Sequence, residues 1–301
     1  MSEKWLRALV VFCLLPILLG GCQAQFKPGG FTDDMGRVVN LDKMPERIVS
    51  HVPSITETLF ALGLEDKLVG VCDYCDYPEP AKSKPSVGNY FNPSVEAIVA
   101  LEPDLVLTDG HSESIKRLGT LDIPYFVLDP KDIDGILKDI ELLGRITGKE
   151  KNAASLVSQM KQDISEVTKK VTGAPRPRVF YVIDVTNPAM PWTAGLGSFI
   201  DALITLGGGE NIAAKSESAW LQISIEAVVN ADPEVIITTG DAYSNSKVAN
   251  EIKNNPAWQG LSAVKSGNIR VVEADPVVRS GPRITQGLKI IARAIHPELF
   301  K

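Results

Sequence analysis

Apolar and polar positions along the chain fall into short buried strands and amphipathic helices, and one such pattern occurs twice. Residues 94–110 read Ser-Val-Glu-Ala-Ile-Val-Ala-Leu-Glu-Pro-Asp-Leu-Val-Leu-Thr-Asp-Gly, and residues 224–240 read Ser-Ile-Glu-Ala-Val-Val-Asn-Ala-Asp-Pro-Glu-Val-Ile-Ile-Thr-Thr-Gly. Each copy predicts a short helix, a proline break and an apolar strand of the kind buried in a parallel sheet. A second echo lies upstream: Ser54–Gly63 (SITETLFALG) and Ser198–Gly207 (SFIDALITLG) both read as a capped amphipathic helix ending in glycine. Two copies predict two homologous lobes, because a solenoid needs at least three stacked repeats.

Further strands are predicted at Arg47–His51, Leu68–Cys72 and Tyr125–Leu128, with a helix near Glu113. The second lobe opens with a strand at Arg178–Ile183 and closes with a strand at Ile269–Val272 and a helix from about Pro282. Between the lobes, Ile133, Ile136, Leu137, Ile140 and Leu143 keep helical spacing, and Gly148 marks a stop. Lys149 to Lys170 holds neither proline nor glycine, enough for a helix of roughly 30 Å. The expected fold is therefore α/β, with two similar lobes of largely parallel sheet joined by a long rigid helix. Residues 45–130 form the first lobe, 131–174 the connecting helices and 175–301 the second lobe. A ligand cleft is expected between the lobes, near the C-terminal strand ends.

The N-terminus sets the compartment. Lys4 and Arg7 precede a nearly continuous apolar run from Ala8 to Leu19, then Leu19-Gly20-Gly21-Cys22. This is the order of a secretory signal over residues 1–21. The run is about a dozen residues, short of the ~20 that span a bilayer. Cys22 at the cleavage point resembles the bacterial lipoprotein box, which implies lipid on Cys22, a linker to residue 44 and an extracytoplasmic, membrane-anchored protein. The net charge of -6 argues against nucleic acid as a partner. Roughly 280 residues remain after the signal, ample for two modest cores.

Only Cys72 and Cys75 persist in the mature fold. Their C-x-x-C spacing admits a local disulfide or two idle thiols. Zinc would need a second ligand pair, and redox catalysis would need a helix N-terminus, whereas this motif leaves a strand.

At this point the chain resembles a known family. Ile48–Gly63, the doubled Ser-x-Glu-Ala before Pro-Asp or Pro-Glu, and Arg279-Ser-Gly-Pro-Arg283 look like helical-backbone periplasmic binding proteins, across residues 45 to 298. The resemblance implies a non-enzymatic, monomeric carrier that delivers cobalamin, ferric siderophores or haem to an ABC permease homodimer with its ATPase. Cys72–Pro78, Asn89–Glu96 and Trp220–Glu226 look most like cobalamin binders. It further implies permease docking through Glu96 and Glu226, one per lobe. Each acid also sits in a helix's first turn, where it favours the macrodipole.

Expected ligand-binding residues are His51, Tyr74, Tyr90 and Phe91 from the first lobe and Trp192, Trp220 and Arg279 from the second. Aromatic walls suit a large planar ligand, since they offer area with few rotatable bonds. Arg279 suits amide, phosphate or carboxylate groups, and Arg283, just after proline, suits a structural salt bridge. His51 departs from the family's usual apolar residue and reads as a polar cleft residue; a neutral imidazole on a ligand metal keeps haem in view. No cofactor and no resident metal are expected. Rival classes fare worse. H-E-x-x-H, G-x-S-x-G and a phosphate loop are missing, and Gly207-Gly-Gly-Glu-Asn211 follows a helix instead of opening one. A zinc or manganese carrier wants more ligands than three histidines supply. A non-transport surface protein of the same fold leaves the paired glutamates without a use.

Overall fold

Both copies of the repeat become the same piece of structure. A computed structural model describes residues 27–240 and 245–301; the signal segment and Cys22 lie outside the described residues. The first lobe begins with a hairpin, β1 (Gly29–Thr32) and β2 (Val38–Leu41), and continues β3 (Ile48–Ser50), α1 (Pro53–Ala61), β4 (Leu68–Val71), α2 (Val95–Ala100), β5 (Leu105–Thr108), α3 (Glu113–Lys116) and β6 (Tyr125–Val127). Helices α4 (Ile133–Thr147) and α5 (Glu150–Val171) follow. The second lobe runs β7 (Arg178–Val182), β8 (Trp192–Ala194), α6 (Phe199–Leu206), β9 (Glu210–Asn211), β10 (Trp220–Gln222), α7 (Ile225–Ala231), β11 (Val235–Gly240), α8 (Asn245–Asn254), α9 (Ser262–Lys265), β12 (Ile269–Glu273), α10 (Asp275–Val278) and α11 (Ile284–Ile295).

The main sheets have strand orders β4-β3-β5-β6 and β9-β7-β11-β12, all parallel. Strand for strand the two orders correspond, with β3 matching β7 and β5 matching β11. Side-chain contacts repeat as well. Arg47 Nε donates to the carbonyls of Leu101 and Glu102 at 3.1 and 3.0 Å, and Arg178 Nε donates to those of Ala231 and Asp232 at 2.9 and 3.0 Å. Asp104 accepts the Arg47 amide at 2.9 Å, and Glu234 accepts the Arg178 amide at 3.0 Å. Glu102 and Asp232, each before the repeat's proline, both take left-handed φ of 46° and 43°. The latch satisfies carbonyls that the helix end leaves open.

Alternation along the strands divides the core. Ile48, Leu105 and Leu107 face one cluster and Val49 and Val106 another, so both sheet faces are covered. In the second lobe Val179, Tyr181 and Ile237 point one way, and Phe180, Val182 and Ile236 pack with Trp258 on the other. One apolar cluster runs from the first lobe through α4 and α5 to α6 and α11, so the connecting helices are part of a shared core. Gly148 ends α4 at φ 68°, where a β-carbon would be strained, and its amide closes on Gly144. The α1 helix differs from expectation. Val52, not Ser54, is its N-cap, without a side-chain cap, because Pro53 presets the first turn; Ser198 does cap α6.

Hairpin and α4 meet through acids. The Asp34 carboxylate accepts the Asp129 amide at 2.6 Å. The Asp139 carboxyl is buried beside it, with one oxygen unpartnered. Burial, then the charge of Asp34, the hydrogen bond with it and the charge of Asp129, push Asp139 up to about 8. A folded value above the unfolded one stabilises fully below the ordinary carboxylate range, and that contribution fades as pH rises toward 8. Asp139→Asn should raise Tm by roughly 2–4 °C near pH 8.5 and by less near pH 5, read by calorimetry. An equal shift at both pH values would remove titration as the cause.

Candidate ligand-binding site

The site grows from the loops after the strands. In the first lobe, β3 leads into His51, β4 into Cys72–Pro78 and β5 into Asp109, and the Gly88–Pro93 turn lies beside them through the Asp73 amide bond to the Gly88 carbonyl, 3.0 Å. Tyr90 donates its hydroxyl to Asp109 and stacks on His51 with ring centroids 5.7 Å apart; Phe91 meets Tyr90 edge-on at 4.9 Å. Asn89 Oδ1 accepts the Phe91 amide at 2.8 Å, and Asn89 Nδ2 donates to the Tyr74 hydroxyl at 3.3 Å. Tyr74 and Phe91 project into solvent, Phe91 to 79%. An apolar ring that open costs apolar contact unless something covers it.

His51 does not share this exposure. The ring is fully buried beneath Tyr90, with Nε2 3.4 Å from the Asn89 carbonyl and Nδ1 unpartnered. Burial lowers its affinity for a proton. The expectation that His51 faces the cleft is therefore corrected: it supports the tyrosine that lies over it. Burial also raises the Tyr90 hydroxyl, and its hydrogen bond to Asp109 adds to that, so it remains a neutral donor.

In the second lobe the two tryptophans sit on a two-stranded antiparallel ribbon, β8 with β10. The register pairs Trp220 with Ala194 and Gln222 with Trp192, which sets both indoles on one face. Both are exposed, at 42% and 44%, and Trp220 braces edge-on against Phe199 at 5.5 Å. Thr193, on the opposite face, is buried and donates to the Tyr181 carbonyl at 2.7 Å, which holds the ribbon on β7. Each lobe thus presents its own aromatic group.

Between the lobes runs an ion-pair network. Glu57 of α1, 2% exposed at its side chain, accepts from Arg283 Nε at 2.8 Å and Nη2 at 2.6 Å, and from Arg279 Nη1 at 3.1 Å. Arg279 also reaches Asp76 at 2.8 Å and Asp275 at 3.0 Å. The Arg283 guanidinium lies 4.0 Å over the Tyr77 ring. Beside this bridge a β-carbon on Gly281 would lie 3.0 Å from the Ser54 carbonyl, so the lobes touch backbone to backbone. Arg283 therefore makes a structural salt bridge, and the terminal nitrogens of Arg279 are already occupied by three carboxylates.

Cys72 and Cys75 are buried free thiols with sulfurs 3.0 Å apart. The hydrogen bond to Cys75 and burial push the Cys72 thiol up. Among the described residues no group of three or more His, Cys, Asp or Glu is placed to hold a metal ion, and no helix is long and apolar enough to cross a membrane.

Glu96 and Glu226 stand exposed in the first turns of α2 and α7. Ser94 caps α2 through the Ala97 amide at 3.1 Å, and Ser224 caps α7 through the Ala227 amide at 3.2 Å. The two acids occupy the same place on the two lobes. Sequence reasoning missed the roles of Glu57 and Asp76 in the interlobe bridge.

Two matching lobes joined by helices, with an aromatic group on each, are the architecture of a substrate-binding protein. The chain belongs to the periplasmic binding protein family, whose profile matches residues 48–276; it is an extracytoplasmic, non-enzymatic substrate-binding protein. It is 31% identical to the uncharacterized ABC transporter substrate-binding lipoprotein YvrC of Bacillus subtilis, over 96% of each chain. It is also 31% identical to a cobalamin-binding protein of Halobacterium salinarum, over 88% of this chain and 73% of that one. Among solved structures it resembles the periplasmic vitamin B12 binding protein BtuF of Vibrio cholerae (TM-score 0.71, 28% identity, 86% of this chain and 99% of that one). The periplasmic heme-binding protein RhuT of Roseiflexus sp. RS-1 aligns with a TM-score of 0.74 at 25% identity, over 84% of this chain and 99% of that one.

Proposed function

We propose that this protein captures cobalamin or a related corrinoid between its lobes and hands it to an ABC permease homodimer, tethered to the membrane by lipid on Cys22. The carrying observation is a pair of aromatic groups with solvent-exposed rings, Tyr74 and Phe91 on one lobe, with the half-buried Tyr90 bracing Phe91, and Trp192 and Trp220 on the other. Rings held by neighbours yet open on one face suit a bulky planar ligand, because little rotamer freedom remains to be lost on binding. Haem and ferric siderophores are the competing ligands. The buried His51 and the fully paired Arg279 speak for a corrinoid over both.

The deciding experiment titrates the chain from residue 23 onward with cyanocobalamin, by calorimetry and by comigration of the red chromophore on gel filtration. Stoichiometric binding at micromolar affinity or better supports the corrinoid; no binding transfers the reading to haem or a ferric siderophore. Trp220→Ala should then weaken binding by about 1–3 kcal/mol, as for an aromatic hot spot. An unaltered affinity would leave Trp220 with no role beyond packing on Phe199.

A further inference from the structure

The interlobe bridge holds more acid than base. Glu57, Asp76 and Asp275 face Arg279 and Arg283, three carboxylates against two guanidiniums. Glu57 is buried and ties the lobes together. Asp76 differs. Its side chain is 49% exposed, and it sits in the Cys72–Pro78 loop between the exposed rings of Tyr74 and Tyr77. It reaches across the lobe interface to Arg279 at 2.8 Å, on the nitrogen that also contacts Glu57. By charge count Glu57 and Asp275 match Arg279 and Arg283, and Asp76, with the shortest hold on the Arg279 guanidinium, takes the cluster one acid past neutral. Its charge is the one in excess, and it lies where a ligand resting on Tyr74 would meet it. On the same lobe Asp109, which accepts from Tyr90, adds a second acid.

We infer that Asp76 is a specificity-determining residue: it masks Arg279 and keeps anionic iron chelates out of the aromatic cleft. This rests on the cleft being the ligand site. Like charges placed against a wrong ligand cost affinity for that ligand without adding any for the right one. An uncharged amphipathic ligand is not repelled. A chelate carrying several negative charges meets an excess acid where it needs the guanidinium.

The test compares the full chain in mild detergent with its Asp76→Asn variant. Tryptophan fluorescence titrations would use three probes, namely uncharged cyanocobalamin, a trianionic ferric tris-catecholate and haemin with its two propionates. Removing one charge from a partly exposed site should tighten the tris-catecholate by about tenfold or more, and haemin by less. The gain should shrink in high salt and vanish in Asp76→Asn/Arg279→Gln, responses that a loosened loop would not produce. Circular dichroism and Tm establish that both variants are folded, and Asp76→Ser repeats the measurement should the asparagine misfold. No gain for the tris-catecholate, including no binding by either protein, overturns the inference. So does a gain that survives loss of Arg279. The cyanocobalamin arm is separate: failure of wild type to bind it would overturn the corrinoid reading, while the ratio of variant to wild type for the anionic probes still decides the role of Asp76.

Discussion

Glu57→Ala should cost about 3–5 kcal/mol of unfolding free energy, the range for breaking a buried ion pair by removing one partner. Glu57 contributes both oxygens, one to Arg283 Nε and the other shared between Arg283 and Arg279. Without it, Arg283, 10% exposed at its side chain, keeps Asp275 at 3.6 Å and the Tyr77 ring. Arg279 keeps Asp275 and Asp76. The vacated space would hold two largely buried guanidiniums with fewer acceptors. The pairing that remains to Arg283 is long, so Asp275 is a weak substitute. Denaturant unfolding monitored by circular dichroism reads the loss. The bridge joins residues more than two hundred positions apart across the lobes, so the variant should also unfold less cooperatively, with a lower m-value or a resolved second transition. A loss below about 1 kcal/mol would mean that Asp76 and Asp275 close over the gap, and the bridge would then be a matter of lobe alignment and not of stability.

How much of this was legible in the chain depends on whether the signal was local or paired across distance. The duplicated unit was plain, because α2–β5 and α7–β11 are each continuous in sequence and keep serine, glutamate and proline in register. The α4–α5 break was legible for the same reason, as Gly148 acts on its own helix end. The latch of Arg47 and Arg178 was within reach. Both arginines stand at the start of a strand, Arg47 just before β3 and Arg178 first in β7, and both face an acid just past the repeat's proline, Asp104 or Glu234. The β8–β10 ribbon was hidden. Its strands have three residues each, too few to show period-two alternation, and their pairing spans the α6 helix. The network around Glu57 was hidden because an acid inside the apolar helix α1 reads as an ordinary polar position until a partner from the far end of the chain is seen. His51 shows the limit from the other side. The residue after a strand turns toward the cleft or away from it according to what covers it, and the cover here is Tyr90, thirty-nine positions on.

The other large effect should be on transport. A double variant, Glu96→Ala with Glu226→Ala, should bind its solute as wild type does and abolish uptake. Each acid is exposed at the start of a serine-capped helix, so removing it takes away a first-turn macrodipole contribution of about 0.3–1 kcal/mol and leaves the cap in place. Neither acid belongs to the aromatic groups, so affinity has no reason to change. Docking is another matter. Pseudo-symmetric strand orders put the two carboxylates at matching places on the lobes, and the homodimeric permease proposed above would offer each of them the same receptor. Charges of this kind steer encounter and fix orientation. Removing one should leave a complex that tilts about the remaining contact, so each single variant should retain partial uptake. Both losses together should remove the orientation altogether. Uptake by cells carrying each variant, compared with calorimetric affinity of the same proteins, separates docking from binding. Wild-type transport by the double variant would return both glutamates to the role of helix-start acids. A matched fall in affinity and uptake would place them in the ligand site instead.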